Sequence, residues 1–220
     1  MSTLTSIYVS PSISPLVPPP PSLWSCCVNK SSTLLLCTGT SSTVLLYSFS
    51  PDVSLLADLT GLIPSSENNT IRCGSFDPSS SSSPSPSSSG LCRFAVGSFS
   101  GAVHLLTPDA RVGTLEGPSS EIKSVVYTPS GTLLAATSRD KSCWIWEAST
   151  SDPVAVLQGH GGDVKCCLFL GEVKLATGGY DGRVILWGED EDGDWSRVGE
   201  VGGGKEGKEG KDEEPDTAWR

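Results

Sequence analysis

Cysteine is the most reactive residue type in this 220-residue chain, which contains eight of them. Two pairs are adjacent, Cys26-Cys27 and Cys166-Cys167, and no pair has the Cys-x-x-Cys spacing of a metal site. Because adjacent residues on a strand point to opposite faces, neither pair can easily hold one ion. We therefore interpret the cysteines as small buried hydrophobic residues and expect no metal and no other cofactor.

A second candidate chemistry is nucleophilic catalysis by His160 and Asp181 with a nearby serine or threonine. Such a site needs an exposed hydroxyl beside oxyanion donors, and the chain has no Gly-x-Ser-x-Gly elbow. The other histidine, His104, has no Cys or His at ligand spacing, and Gly202-Gly203-Gly204 follows no strand-to-helix transition that would bind a phosphate. The sequence therefore predicts no catalytic residues and no enzymatic activity.

Charge and hydropathy limit the partners of the chain. The net charge is −10, and the segment from Glu189 to Asp216 alone carries twelve acidic and four basic residues, or −8. Nucleic-acid binders need clustered Lys and Arg, so we expect no nucleic-acid partner. Prolines interrupt the apolar segment Pro11–Pro21, which excludes a membrane span there. We expect no membrane partner and a cytoplasmic, reducing compartment in which the thiols stay free.

Short apolar runs of four or five residues, bounded by Gly, Ser and Asp, dominate the rest of the chain and alternate with period two. They occupy residues 33–37, 43–47, 94–97, 102–106, 132–136 and 184–187. No stretch has a convincing helical face. The fold class is therefore predicted to be all-β.

Three low-complexity segments interrupt this pattern. Residues 1–22 form a Ser/Pro-rich leader that we expect to be disordered, and residues 79–89 are a Ser/Pro-rich loop insertion. Residues 201–220 form a flexible tail rich in Gly, Lys and Glu. The folded region is therefore predicted within residues 23–200.

The folded region repeats itself with a period of 41 residues. Asp140 and Asp181 are 41 residues apart, as are Trp146 and Trp187, and Asp precedes Trp by six residues in each copy. With two weaker copies before them, the predicted repeats cover about 23–50, 68–108, 114–148 and 156–188. A fixed period of this length is typical of a repeat architecture.

The last repeat resembles the WD40 family, on the strength of Gly159-His160, Asp181 and Trp187. The resemblance implies a β-propeller in which each unit supplies four strands to a blade. It also implies a structural tetrad of hydrogen-bonded side chains, namely His160, Thr177, Asp181 and Trp187. The third repeat has Gly117-Pro118 in place of Gly-His and Ala136 in place of the threonine, so its blade is expected to be less rigid.

Motifs in the last 90 residues are similar to those of WD40 propellers in the targeting complex for cytosolic iron–sulfur protein assembly. They include Ser138–Glu147 and the acidic run Glu189–Asp194 before Trp195. This resemblance implies a non-catalytic scaffold, cytoplasmic and with a nuclear location left open. Its implied partners are the other targeting subunits, an iron-only hydrogenase-like carrier and iron–sulfur apoproteins.

The same resemblance implies about four blades of a seven-blade design, so we expect an open or incomplete propeller with an uncovered sheet at each end. Two alternatives stay open. One is a WD40 scaffold of another assembly, such as a ubiquitin ligase or chromatin complex. The other is a cysteine-rich metal-binding protein.

Partner contacts in WD40 blades commonly involve the residue before the turn Asp and the residues that flank the start of the innermost strand. The resemblance therefore implies six partner-binding residues at one rim of the central channel. They are Arg139, Tyr180, Lys123, Lys165, Glu121 and Asp163.

Overall fold

The computed structural model describes residues 22–49, 52–63, 70–80 and 92–202. The predicted leader up to residue 21, most of the predicted 79–89 insertion and the predicted tail beyond Gly202 lie outside these ranges. The described residues form sixteen β-strands and one short 3-10 turn, Thr60–Leu62, with no α-helix among them. The all-β prediction is confirmed.

The strands form four antiparallel sheets of four strands each, and each sheet takes its strands consecutively from the chain. The first sheet contains β1 (Leu23–Val28), β2 (Leu34–Gly39), β3 (Val44–Ser48) and β4 (Ser54–Asp58). The second contains β5 (Ile71–Phe76), β6 (Phe94–Ser98), β7 (Val103–Leu106) and β8 (Arg111–Leu115). The third contains β9 (Ile122–Tyr127), β10 (Leu133–Ser138), β11 (Ser142–Glu147) and β12 (Pro153–Gln158). The fourth contains β13 (Val164–Phe169), β14 (Lys174–Gly179), β15 (Arg183–Glu189) and β16 (Trp195–Gly202).

The sheets stack as blades, because the innermost strands β1, β5, β9 and β13 pack against one another in that order. Three hydrophobic cores fill the spaces between consecutive sheets. The core between the third and fourth sheets contains Ala135 and Ile145 from one side and Phe169, Ile185 and Trp187 from the other. Alternation along each strand provides one apolar face for each neighbour, which is the arrangement of a propeller.

Each sheet extends beyond the repeat predicted for it. The repeat bounds of about 114–148 and 156–188 leave out the first half of β12 and all of β16, although both strands pair with their neighbours. In the fourth sheet, Val184 pairs with Val201, so β16 extends two residues into the segment predicted as tail. The outermost strands are the least buried of their sheets, and this is why their hydrophobic pattern is weak in the sequence.

The far face of the fourth sheet is apolar and exposed. Leu168 pairs with Ala176, which pairs with Leu186, so the three side chains form one row across the sheet. Val126 occupies the position of Leu168 in the third sheet, where it is half-buried and packs against the core shared with the fourth sheet. Leu168 itself is 58% exposed, and Val184 and Val201 on the same face are also exposed. An apolar sheet face of this kind favours association with another apolar surface.

Charged substitutions one repeat apart will test this difference. We expect Leu168→Glu to leave the free energy of unfolding within about 0.5 kcal/mol of the parent, because the exposed leucine side chain buries little apolar surface. The same change should reduce self-association in sedimentation velocity. Val126→Glu places a charge in a core and should cost about 3 kcal/mol in urea denaturation. Equal losses of stability in the two variants would show that the face of Leu168 is covered.

Candidate functional site

The fourth sheet contains a chain of hydrogen bonds that joins its outer loop to its inner strands. His160, in the loop before β13, lies with Nδ1 3.0 Å from a carboxylate oxygen of Asp181 in the β14–β15 turn. Its Nε2 lies 2.9 Å from Oγ1 of Thr177 on β14. Trp187 on β15 donates its indole N–H to the same hydroxyl at 2.8 Å. The four residues of the implied tetrad are therefore hydrogen-bonded in one series.

Asp181 is the most heavily hydrogen-bonded member of this series. Its carboxylate also accepts hydrogen bonds from the Gly161 N–H at 2.7 Å and the Arg183 N–H at 3.1 Å. Burial by itself would raise the pKa of Asp181, but the hydrogen bonds from Gly161, His160 and Arg183 outweigh it and hold the pKa well below its usual range. Asp181 is thus a charged structural acceptor at neutral pH, and its environment is not that of a general base.

Two supporting residues of the tetrad were missed in the sequence. The Arg183 guanidinium donates to Asp181 at 3.0 Å and to the Gly159 carbonyl at 3.0 Å, so it joins the turn to the loop that contains His160. Gly179 lies directly under this network. A Cβ atom there would come within 2.5 Å of His160 Nδ1 and 2.8 Å of Asp181 Oδ1. Any larger residue at this position would therefore have to displace the atoms of the His160–Asp181 hydrogen bond.

The third sheet replaces the missing tetrad with serines. Asp140 accepts hydrogen bonds from the Ser119 N–H at 2.7 Å and from the Ser142 N–H at 3.0 Å. The Ser142 hydroxyl donates to Asp140 and accepts the indole N–H of Trp144 at 3.1 Å. Asp140 thus loses the histidine, as the sequence indicates, but gains acceptor contacts that the sequence did not reveal. The expectation of a less rigid third blade remains a prediction.

Gly117 makes room for this replacement. Its φ is +151°, and an added Cβ would lie 2.6 Å from the ring of Trp144. Trp144 in turn stacks on Trp146, with ring centroids 5.9 Å apart. The Gly-Pro that stands in place of Gly-His therefore serves the packing of a tryptophan ring.

The six residues implied as partner-binding lie around the starts of β9 and β13 and form three pairs. The backbone N–H of Arg139 donates to the Glu121 carbonyl, and that of Tyr180 donates to the Asp163 carbonyl, each at 2.9 Å. These bonds place the turns of the third and fourth sheets beside the starts of β9 and β13. Two of the side-chain pairs are ion pairs, Lys123 with Glu121 and Arg139 with Asp163. In the third pair, the ammonium of Lys165 lies over the ring of Tyr180.

The pairs differ in what they present to solvent. Arg139 is 3.9 Å from Asp163 and its side chain is 58% exposed, and Tyr180 is 70% exposed. Lys165 is half-buried with its ammonium 4.1 Å from the centre of the Tyr180 ring. Exposed arginine and tyrosine side chains are the types most often found at interaction hot spots. Partner binding by these residues stays a proposal.

Glu121 is the exception, and the expectation of a surface position does not hold for it. Its side chain is only 2% exposed and forms ion pairs with Lys123 and with Arg72 of β5. A buried carboxylate needs such compensation, because an unpaired charge in this position would be strongly destabilising. Glu121 therefore positions the neighbouring cations, and its contact with a partner stays a prediction.

Arg72 and Trp24 lie beside Glu121, Lys123 and Lys165, and sequence reasoning missed them. The Arg72 guanidinium lies 4.0 Å from the ring centre of Trp24 and 5.9 Å from that of Phe99. Trp24, Arg72, Lys123 and Lys165 are each the second residue of an innermost strand. The repeat register could have identified the first two, but the early repeats are too divergent for a confident alignment of single positions.

The remaining candidates for chemistry are the cysteines and His104. Four cysteines are buried and two are half-buried, but Cys26 and Cys166 are exposed, so the interpretation of all eight as buried residues is wrong for these two. All eight cysteines are free, and burial raises the pKa of Cys27 to about 12 and that of Cys92 to about 11. Across residues 22–49, 52–63, 70–80 and 92–202, no three of His, Cys, Asp and Glu cluster as metal ligands. Burial lowers the pKa of His104 to about 4, so its ring is neutral at pH 7. In the same ranges, no helix has the length and hydropathy to cross a membrane.

Known proteins with similar sequences support the repeat assignment. The family model described as "WD domain, G-beta repeat" matches residues 110–147 and 151–188. Each matched repeat begins with the outermost strand of one sheet and continues through the first three strands of the next. The repeat in sequence and the sheet in space are therefore offset by one strand.

Two fungal relatives carry the name "Probable cytosolic iron-sulfur protein assembly protein 1". The protein of Neurospora crassa is 39% identical over 139 residues, covering 48% of this chain and 28% of the relative. That of Sclerotinia sclerotiorum is 49% identical over 87 residues, covering 34% of this chain and 19% of the relative. The aligned region of this chain thus spans less than a third of either relative.

A solved structure resembles the fold. One chain of the crystal structure of the mitotic checkpoint complex matches with a TM-score of 0.67 and 23% identity, covering 83% of this chain and 51% of that chain. At this identity the likeness concerns only the fold. It supports the propeller arrangement of the four sheets.

Proposed function

We propose that this chain, a WD40-repeat protein, is a non-catalytic scaffold in cytosolic iron–sulfur protein assembly. The observation that carries the proposal is the identity of 39–49% between its repeats and fungal proteins named for that process. In this role the chain brings other proteins together: the remaining targeting subunits, the hydrogenase-like cluster carrier and the apoproteins that receive the cluster. The cluster is cargo held by these partners.

The chemistry of the fourth sheet supports a scaffold. His160 and Asp181 have the residue types of a catalytic pair. However, the second ring nitrogen of His160 is hydrogen-bonded to the Thr177 hydroxyl, and that hydroxyl also accepts the indole N–H of Trp187. A nucleophile needs an exposed hydroxyl that its base can deprotonate. The Thr177 hydroxyl is buried and already accepts the indole N–H, so these residues stabilise the blade.

The exposed rim supports protein docking at one end of the sheets. Arg139 is held only by a long ion pair with Asp163 in partly solvated surroundings, which contributes little to stability. Its guanidinium is therefore available for an acidic or aromatic group of a partner. Tyr180 beside it adds an exposed ring with a hydrogen-bonding hydroxyl.

Charge reversal of Arg139 tests the proposal. The 220-residue chain is immobilised, and binding of each purified targeting subunit and of the carrier is measured at physiological salt. We expect the parent chain to bind at least one of them and Arg139→Glu to bind about tenfold more weakly or worse, because like charge then faces the partner's acid. Circular dichroism and the melting temperature should be unchanged.

Lys174→Glu is the matched control, since it also reverses one exposed charge. Lys174 is the first residue of β14, at the end of the strand opposite to Tyr180. It should bind as the parent does. Absence of binding by the parent chain to every subunit and to the carrier would reject the proposed function. Binding by the parent that Arg139→Glu leaves intact would keep the function and reject the role of Arg139.

A further inference from the structure

Residues at the starts of the four innermost strands form a cavity of about 140 Å³. The resemblance to WD40 blades implies Glu121, Lys123 and Lys165 as partner-binding residues, but it names no chemical group that they bind. The cavity is lined by Trp24, Arg72, Lys123 and Lys165, one from each sheet, together with Glu121. The four occupy the same register position, the second residue of β1, β5, β9 and β13. Packing of the innermost strands therefore brings three cationic side chains to one point.

The charges in this cavity do not cancel. Glu121 is the single carboxylate of the lining, and it pairs with both Arg72 and Lys123. Within the described residues, no carboxylate lies within ion-pair distance of the Lys165 ammonium, which instead contacts the Tyr180 ring. Three positive charges against one negative charge leave the cavity with a net charge of about +2 at neutral pH.

Aromatic rings and the buried carboxylate hold these cations in place before any ligand binds. Arg72 lies against Trp24 and Phe99, Lys123 is bound to Glu121 at 2.5 Å, and Lys165 lies over Tyr180. Trp24, which also lines the cavity, is 53% exposed. Groups that are fixed in advance lose less conformational entropy on binding, so an anion gains more from meeting them.

The size of the cavity and the charge of the chain narrow the choice of anion. Small-molecule sites usually enclose about 300–1,000 Å³, so 140 Å³ has room for a single side chain and not for a nucleotide. A polyanion such as nucleic acid would also approach a chain of net charge −10, which repels it at long range. A carboxylate on a protein segment carries a single charge and is small enough for a cavity of this volume.

We propose that the cavity formed by Trp24, Arg72, Lys123 and Lys165 binds an acidic side chain of a partner protein. The inference rests on the proposed function, in that it assumes the chain docks proteins, and it names the chemistry of one partner group. The acidic side chain pairs with Lys165, the cation without a carboxylate, while its neighbours in the partner segment pack on Trp24 and Tyr180.

A fluorescein-labelled peptide containing Asp-Glu-Asp flanked by Gly-Ser is the probe, and fluorescence anisotropy with the full chain is the measurement. We expect saturable binding that weakens as salt rises, and at least tenfold weaker binding of the Asn-Gln-Asn peptide. Lys165→Met should weaken binding of the acidic peptide about fivefold to tenfold. Lys30→Met, which removes an exposed charge in the β1–β2 turn, should leave it unchanged.

The outcomes separate this inference from its rivals. Equal binding of the acidic and amide peptides would overturn it, as would equal losses in Lys165→Met and Lys30→Met, which would indicate only diffuse charge attraction. Displacement of the peptide by inorganic phosphate at far lower concentration than by acetate would assign the cavity to a phosphate group instead. Unchanged melting of Lys165→Met excludes misfolding. Because the peptide test uses no targeting subunit, it can fail while the proposed function stands, and the reverse also holds.

Discussion

Asp181→Ala is expected to lower the free energy of unfolding by about 3 kcal/mol, measured by urea denaturation of the full chain. The carboxylate accepts hydrogen bonds from His160, the Gly161 N–H and Arg183. Its loss leaves the buried His160 ring nitrogen, two backbone N–H groups and the Arg183 guanidinium without their acceptor. Removing one partner from a buried network costs more than the net strength of each bond, because the desolvated donors stay unsatisfied.

Asp152→Ala is the matched control for this change. Asp152 lies in an exposed turn, and its backbone carbonyl, which alanine retains, is the atom that accepts a hydrogen bond from Glu147. Its loss should change stability by less than about 0.5 kcal/mol. Equal denaturation midpoints for Asp181→Ala, Asp152→Ala and the parent would show that the tetrad does not stabilise the fourth sheet.

The dependence of stability on pH will test the role of the Asp181 carboxylate. The pKa of Asp181 is lower in the folded chain than in the unfolded chain, so the unfolded chain takes up the proton first as the pH falls. The stabilisation by Asp181 is therefore complete above the unfolded pKa near 3.8 and is lost as the pH falls toward the folded pKa. Asp181→Ala should show a shallower loss of stability than the parent below about pH 4.

Gly179→Ala is expected to be about as destabilising as Asp181→Ala, at about 3 kcal/mol, through overpacking. The new methyl group would meet His160 Nδ1 and Asp181 Oδ1, both inside any allowed contact distance. These atoms are held by hydrogen bonds on their other sides, so neither can move without breaking the series. Urea denaturation and the hydrogen-exchange rates of β14 and β15 will measure the loss.

Gly178→Ala is a control one residue away on the same strand. A Cβ at Gly178 would approach only the Cys166 Sγ, at 2.9 Å, and that sulfur can rotate on an exposed residue. We expect a cost below about 1 kcal/mol. The double variant Gly179→Ala with Asp181→Ala should lose less than the sum of the two, since both disturb one network. Strict additivity would mean that the methyl group acts elsewhere.

Much of the fourth sheet was predictable from the sequence, because its determinants lie within one repeat. The period of 41 residues and the positions of His160, Asp181 and Trp187 follow from a blade of fixed strand and turn lengths. These residues are hydrogen-bonded in the structure. The outermost strands β12 and β16 left little sign in the sequence, because an exposed strand pairs through its backbone and needs little hydrophobic alternation.

The third sheet shows a limit that lies inside a single repeat. Replacement of His and Thr by Pro118 and Ala136 predicts a lost network, and the structure shows Ser119 and Ser142 on Asp140 instead. A carboxylate in a turn can accept hydrogen bonds from hydroxyl and backbone N–H groups at many different sequence positions. Because serine is so common in this chain, the sequence alone does not identify which serines donate to Asp140.

The sequence by itself determined the all-β class, the repeat and the hydrogen-bonding residues of the last blade. Only the tertiary structure decided that Arg72 and Lys123 share the buried carboxylate of Glu121 and that Lys165 lies near them without one. The reason is the range of the interactions. Strand pairing and turn hydrogen bonds connect residues within one repeat, whereas the cavity joins positions about 40 to 50 residues apart that meet only when the innermost strands pack side by side.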